Sequence, residues 1–147
     1  MERLGLRILV VEDNLLEADV MEQVLHDLGC SVVGPTGQPQ QALALARESP
    51  LDGAFLDIHL AGLNSFAAAW ELRRRGVPFA FVSGYPRSYV PGPGPLRDAP
   101  FLAKPFDKRE LAATLLSFVP NPPSIPPSKA PKPDKPPRRM KQRQLNL

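Results

Sequence analysis

Short apolar runs alternate with amphipathic stretches along most of the chain, and nearly every run ends in a polar residue. The first run, residues 6–11, stops at Glu12 and Asp13. Asn14, followed three residues later by Glu17, has the spacing of a capping pair that opens a helix with Ala18, Met21, Leu25 and Leu28 on one face. Gly29 is placed to end that helix. A second strand is expected over 31–33, before the turn signals Gly34, Pro35 and Gly37. Pro39 suits the first turn of a helix carrying Ala42, Leu45 and Ala46. The third strand, 53–57, ends in Asp57. Asn64 is expected to cap a third helix through Phe66, Ala69, Trp70 and Leu72 that stops near Gly76. A fourth strand, 79–83, ends in Ser83. Segment 86–100 holds five prolines and two glycines, which predicts a loop or a single helical turn. Residues 101–103 form a short fifth strand leading to Lys104. Asp107 and Glu110 then have the spacing of a capping box for a last helix through Leu111, Leu115 and Phe118.

Strands and helices alternate throughout, and the strands read as near-continuous apolar runs. Both features argue for an α/β fold with a parallel sheet buried on its two faces by helices and joined by right-handed crossovers. Folds of this class bind ligands at the carboxyl ends of their strands. Those are the ends where the polar residues stand.

The chain has 147 residues, enough for one ordinary domain and an appendage. No stretch approaches the roughly 20 apolar residues that cross a bilayer, and the acidic pair follows the first apolar run too soon for a secretory signal. A soluble, cytoplasmic protein is expected. The single cysteine, Cys30, reads as a small core hydrophobe. The net charge of +3 averages two unlike regions: residues 1–119 carry a net −3, residues 120–147 a net +6. The second region also contains nine of the 19 prolines and few large apolar residues, a composition that cannot offset its ordering entropy. The expected organisation is therefore a folded domain over 5–118 and a disordered, Pro-rich basic tail over 119–147.

Gathered along one sheet edge, Glu12, Asp13, Asp57, Ser83 and Lys104 suit a divalent cation and a phosphoryl group. Transfer of a phosphoryl group to a carboxylate needs a nucleophile, a cation to cancel charge on the phosphoryl oxygens, and further donors to those oxygens. Asp57 reads as the nucleophile. Asp13 and Asp57, with Glu12 directly or through water, suit Mg²⁺, which takes a few carboxylates and keeps some of its water. Lys104 offers a cation and Ser83 a hydroxyl to the phosphoryl oxygens.

In order and separation, VVEDN, FLDIHLAG, FVSGY and FLAKPF resemble the receiver domain of two-component response regulators over about residues 5–118. The resemblance implies a doubly wound, flavodoxin-like sheet of five parallel strands in the order 2-1-3-4-5, here with a short or irregular fourth helix. It implies that Asp57 accepts a phosphoryl group from a histidine kinase or histidine phosphotransfer protein. Asp13, Asp57 and the backbone carbonyl of His59 would hold Mg²⁺, and Ser83 and Lys104 would contact the phosphoryl group. The Lys104–Pro105 bond resembles the family's cis peptide, which aims the ammonium into the crevice. Phe101 occupies the switch-aromatic position. In the implied switch, Ser83 moves toward the phosphoryl group and Phe101 turns into the vacated space, remodelling the face of the fourth strand, fifth strand and last helix for a downstream protein. Two departures stand out. Leu60-Ala61 replaces the usual Met-Pro pair, and Gly84-Tyr85 replaces the more common Ala-containing sequence. FAFVSGYP and HLAG are similar to a subgroup of stand-alone receivers with a Phe-Ala-Thr-Gly-Tyr-like fourth strand, which pair with HWE/HisKA2-type kinases. With only the tail after Phe118, action through protein–protein contact or as a phosphate sink is expected, without DNA binding.

Plainer readings apply elsewhere. His59 is expected to matter through its carbonyl and position, and His26 to lie on the surface of the first helix. Arg73, Arg74 and Arg75 read as a solvated face favoured by the helix dipole. Tyr85 and Tyr89 are open between loop packing and a partner-facing role. The basic tail has a second reading, a tether to RNA, a membrane surface or another anionic partner, against the simpler one of a solubilising end. An enzyme of the haloacid-dehalogenase-like phosphatase class would need an Asp-x-Asp pair after the first strand, and this strand ends Glu-Asp-Asn. A nucleotide-binding fold would need a Gly-rich loop there.

Overall fold

The structure, a computed structural model, describes residues 4–92 and 94–120. Five parallel strands, β1 (Arg7–Val11), β2 (Ser31–Thr36), β3 (Gly53–Asp57), β4 (Phe79–Ser83) and β5 (Phe101–Ala103), form one sheet in the order β2-β1-β3-β4-β5. Helices α1 (Leu15–Asp27), α2 (Pro39–Glu48), α3 (Phe66–Arg75) and α4 (Lys108–Leu116) cover its faces. This is the expected doubly wound α/β fold. Of the expected basic tail, 119–147, all but residues 119 and 120 lie outside the described residues.

Side chains alternate across each strand, so one apolar run serves two cores. Ile8, Val10, Phe55, Ala80 and Val82 pack with Met21 and Leu25 of α1 and Leu111 and Leu115 of α4. Leu9, Val11, Ala54, Leu56, Phe79 and Phe81 face Ala42 and Ala46 of α2 and Ala68, Ala69 and Leu72 of α3. Cys30 is buried in the first of these layers. His26 is exposed.

The helix boundaries follow local chemistry. Asn14 caps α1, its side-chain oxygen accepting from the Glu17 N–H at 3.0 Å, and Asp107 and Glu110 form the full capping box of α4. Gly76 ends α3 in the left-handed conformation, φ 73°, which glycine enters without a Cβ penalty.

Several expectations are corrected. β2 does not stop at Val33: it continues to Thr36, because the β1–β2 register shifts between Leu9 and Val11 and the resulting bulge takes up the Gly34-Pro35 pair within the strand. The cap of α3 is Ser65, although Asn64 Oδ1 still accepts from the Phe66 N–H at 3.0 Å. Trp70, placed with the helix's apolar residues in the sequence reading, is 50% exposed. The arginines that end α3 are more than a solvated face. Arg74 pairs with Glu71, and Arg75 Nη1 donates to the Ala46 carbonyl at 2.6 Å, tying α3 to α2.

Segment 86–100 contains one turn of 3₁₀ helix, Arg87–Tyr89. Its prolines leave carbonyls without helical partners, and two arginines supply the missing donors. Arg87 Nη1 donates to the carbonyls of Arg97 and Ala99, both at 2.7 Å, and Arg97 Nε to that of Val90 at 2.8 Å. Val90, Leu96 and Ala99 are buried in the layer that α2 and α3 cover.

Candidate functional site

Strand register brings the polar strand ends into one line. Val11 lies beside Leu56, so Glu12 and Asp57 follow on adjacent strands. Asp57 lies beside Val82, and Ser83 beside Ala103, which places Ser83 and Lys104 next in line. The strands run parallel and end at the same edge, so residues separated by 92 positions meet there: Lys104 Nζ donates to Glu12 Oε1 at 2.8 Å and to Asp57 Oδ2 at 3.2 Å. It also pairs with Glu17 of α1.

Glu12, Asp13 and Asp57 each offer a carboxylate oxygen, and these oxygens lie within 4.8 Å of one another. An oxygen-only set of two or three carboxylates with one open side fits Mg²⁺. Glu12 is the buried member, with a side chain 1% exposed, while the Asp57 side chain keeps 11% exposure and Asp13 faces solvent. Asp13 is held from behind: its Oδ2 accepts from the Ala61 N–H at 3.0 Å, and Ala61 is a non-glycine residue with positive φ, 48°. Gly37 backs the same residue. A Cβ there would lie 2.6 Å from the Asp13 Cα, so only glycine lets the β2–α2 loop approach this closely.

Ser83 is buried, and its Oγ accepts from the Tyr85 N–H at 2.9 Å. The hydroxyl proton is left to donate elsewhere. The Lys104–Pro105 peptide is cis. A short antiparallel hairpin, His59–Leu60 with Leu63–Asn64, follows β3 directly. It was not foreseen in the sequence. The His59 ring stacks against Tyr85 at 4.2 Å and lies 5.8 Å from Tyr89, both tyrosines being about half exposed. The loop-packing reading of these tyrosines therefore holds, and each ring keeps an exposed face. Phe101 is partly buried against the core, with the Arg87 guanidinium carbon 5.2 Å from its ring centre.

The electrostatics follow from burial. Glu12 is pushed up to about 7, first by burial of its carboxylate and also by the charge of Asp57, against hydrogen bonds from Lys104 and the Asn14 backbone. Burial works against the charge of Lys104, but its bonds to Glu12 and Glu17 and the field of Asp57 outweigh it, and the ammonium is held above its usual range. Glu12 gives a pH prediction. Its folded pKa lies above the ordinary 4.5, so the fold binds this proton more tightly than the unfolded chain does. That contribution to stability is complete below the ordinary value and is lost as pH rises through the folded one. In metal-free protein the wild type should lose about 1–3 kcal/mol relative to Glu12→Gln between about pH 5 and about pH 8, read from urea unfolding. Parallel stability curves for the two proteins would show that Glu12 ionises as in water.

Glu17 is the site residue that sequence reasoning missed. Its spacing from Asn14 marks it as part of a helix cap, and nothing in the local pattern reports that the first turn of α1 overhangs Lys104. Gly37 was read only as a turn residue for the same reason.

The profile of the response regulator receiver domain matches residues 8–116. The chain is 33% identical over 111 residues to the phyllosphere-induced regulator PhyR of Methylorubrum extorquens, an alignment spanning 74% of this chain and 41% of that protein. It spans about half the length, or less, of the curated relatives it matches. Among solved structures, SdrG from Sphingomonas melonis Fr1 aligns with a TM-score of 0.68 and 34% identity, covering 78% of this chain and 96% of that one. The receiver domain of a sensor histidine kinase from Pseudomonas aeruginosa PAO1 aligns with a TM-score of 0.62 and 29% identity, covering 78% and 97%; that structure has a magnesium ion coordinated in its active-site cleft.

Proposed function

The chain belongs to the response regulator receiver domain family, and from that premise we propose that Asp57 accepts a phosphoryl group from a histidine kinase or histidine phosphotransfer protein. The observation that carries this reading is the convergence of Glu12, Asp13, Asp57 and Lys104 at one sheet edge, where the Asp57 side chain is largely buried but keeps 11% exposure. A lone pair on an Asp57 oxygen forms the new O–P bond. The P–N bond to the donor's imidazole breaks, and its electron pair stays on that nitrogen. Lys104 donates to a phosphoryl oxygen, and the Ser83 hydroxyl, whose proton is free to point into the crevice, donates to another. Asp13, Asp57 and the His59 carbonyl, with Glu12 directly or through water, would hold Mg²⁺, which when bound would cancel charge among the carboxylates and phosphoryl oxygens. The magnesium in the homologous receiver of the Pseudomonas aeruginosa kinase supports that assignment.

Ser83 and Phe101 form the switch. Movement of Ser83 toward the phosphoryl group breaks its bond from the Tyr85 N–H, and the loop so released leads into the 3₁₀ turn whose Arg87 lies against Phe101. Local bonding at Asp57 is thereby coupled to the face formed by β4, β5 and α4, where a downstream protein binds. We assign the receiver domain to residues 5–118, a span that contains the matched residues 8–116. The protein signals by contact with that downstream partner or serves as a phosphate sink. The motifs FAFVSGYP and HLAG support a place in the subgroup with a Phe-Ala-Thr-Gly-Tyr-like fourth strand. A haloacid-dehalogenase-like activity finds no support, since His59 stands where the Asp-x-Asp pair would need its second acid. Phosphotransfer profiling tests the function: one or a few autophosphorylated histidine kinases of the host should transfer to this chain within seconds to minutes, and failure of all of them, together with failure of small acyl phosphates, would remove the reading.

A further inference from the structure

Lys104 is fully engaged before any phosphoryl group arrives. An ammonium has three N–H donors, and here three carboxylates take them: Glu12, Asp57 and Glu17. A donor for a phosphoryl oxygen must therefore be released by one of the three. Glu12 and Asp57 have side chains 1% and 11% exposed, and a carboxylate so buried is costly to strip of its cation. The Glu17 side chain is 47% exposed, and water can replace the ammonium there at the small cost typical of exposed pairs. Glu17 also lies outside the carboxylate cluster suited to a cation. A cation held in that cluster would therefore leave the claim of Glu17 on Lys104 intact.

We propose that Glu17 is the resting counter-ion of Lys104, which the phosphoryl group on Asp57 displaces. Glu17 is a positioning residue that acts through Lys104. The exchange swaps one anionic oxygen for another around an ammonium that stays protonated, so its charge balance is unchanged. Its backbone stays fixed during the exchange, because the N–H of Glu17 is held by Asn14 at the start of α1. Only the side chain moves, out toward solvent. By holding Lys104 in competition with the phosphoryl group, Glu17 weakens the phosphorylated state and sets how readily it is populated.

The inference rests on Asp57 being the phosphoacceptor, and beryllofluoride, a phosphoryl mimic, tests the two separately. With Mg²⁺ and the full chain, NMR of side-chain carboxyl carbons and of the lysine ammonium should show Glu17 and Lys104 resonances moving together as the Asp57 site fills. Glu17→Gln should bind beryllofluoride about two- to five-fold more tightly, the range set by an exposed ion pair. In a Lys104→Met background this gain should vanish, since a residue acting through Lys104 has nothing left to release. A filled Asp57 site with a stationary Glu17 resonance overturns the counter-ion role alone, as does a gain that survives in the Lys104→Met protein. If Asp57 itself does not respond, the phosphoacceptor reading falls and the role of Glu17 falls with it.

Discussion

Asp57→Asn protein incubated with acetyl phosphate and Mg²⁺ will carry no acyl phosphate, while the wild type gains the mass of one phosphoryl group in a form labile to hydroxylamine. The expectation follows from chemistry at one atom. A carboxylate oxygen has a free anionic lone pair for attack on phosphorus, and an amide oxygen at neutral pH does not. The change preserves shape, so β3 and its two packed layers should stay as they are. It also removes one of the negative charges that face Lys104, but Glu12 and Glu17 remain to hold the ammonium, and the fold should lose little stability. Mass spectrometry of the intact chain and of peptides reads both points. Undiminished labelling in the variant would show that another side chain is the acceptor, and Asp13, the solvent-facing member of the cluster, would be the first to test.

Phe81→Ala has the largest expected effect on stability. The Phe81 ring is 0% exposed and meets the rings of Phe66 and Phe79 edge-on, with centroids 5.9 and 5.5 Å away. Its strand lies between β3 and β5, with Phe81 beside Leu56 and Phe101. Such a site cannot close on the space left behind, because both neighbouring strands are fixed by backbone hydrogen bonds. Truncation should cost about 3–5 kcal/mol in urea unfolding, a large part of the roughly 5–15 kcal/mol that holds a domain of this size together. The variant should still take up label wherever it is folded, since Phe81 points away from the crevice into the layer covered by α2 and α3. A loss below about 1 kcal/mol would mean that Phe66 and Phe79 refill the space.

The two predictions sample different kinds of information in the chain. Phe81 was legible as core from the run FAFVS, and Asp57 as a site residue from its place after GAFLD. Both inferences needed only the rule that a buried parallel strand is apolar on both faces and that its carboxyl end is where polar groups collect. The starts of α1 and α4 were legible in the same way, through Asn14 and the Asp107–Glu110 box, while α4 ends at Leu116, short of the expected Phe118. The end of β2 was misplaced because Gly34 and Pro35 signal a turn locally, whereas the pairing of β2 with β1 absorbs them as a bulge. The exposure of Trp70 was misread because helical periodicity ranks faces by apolar content, and α2 approaches α3 on the alanine side.

By itself the sequence determined the alternation of strands and helices, the two-sided burial of the sheet and the set of strand ends that carry chemistry, since all of these depend on periodicities and caps spanning a few residues. Only the tertiary structure decided that Glu17 overhangs Lys104, that Gly37 backs Asp13, that Arg75 binds the end of α2 and that Arg87 lies against Phe101. Each of these is a meeting between elements far apart along the chain. Such meetings are set by strand register and by how closely helices pack, and the residues involved keep the same local signals whichever neighbour they touch.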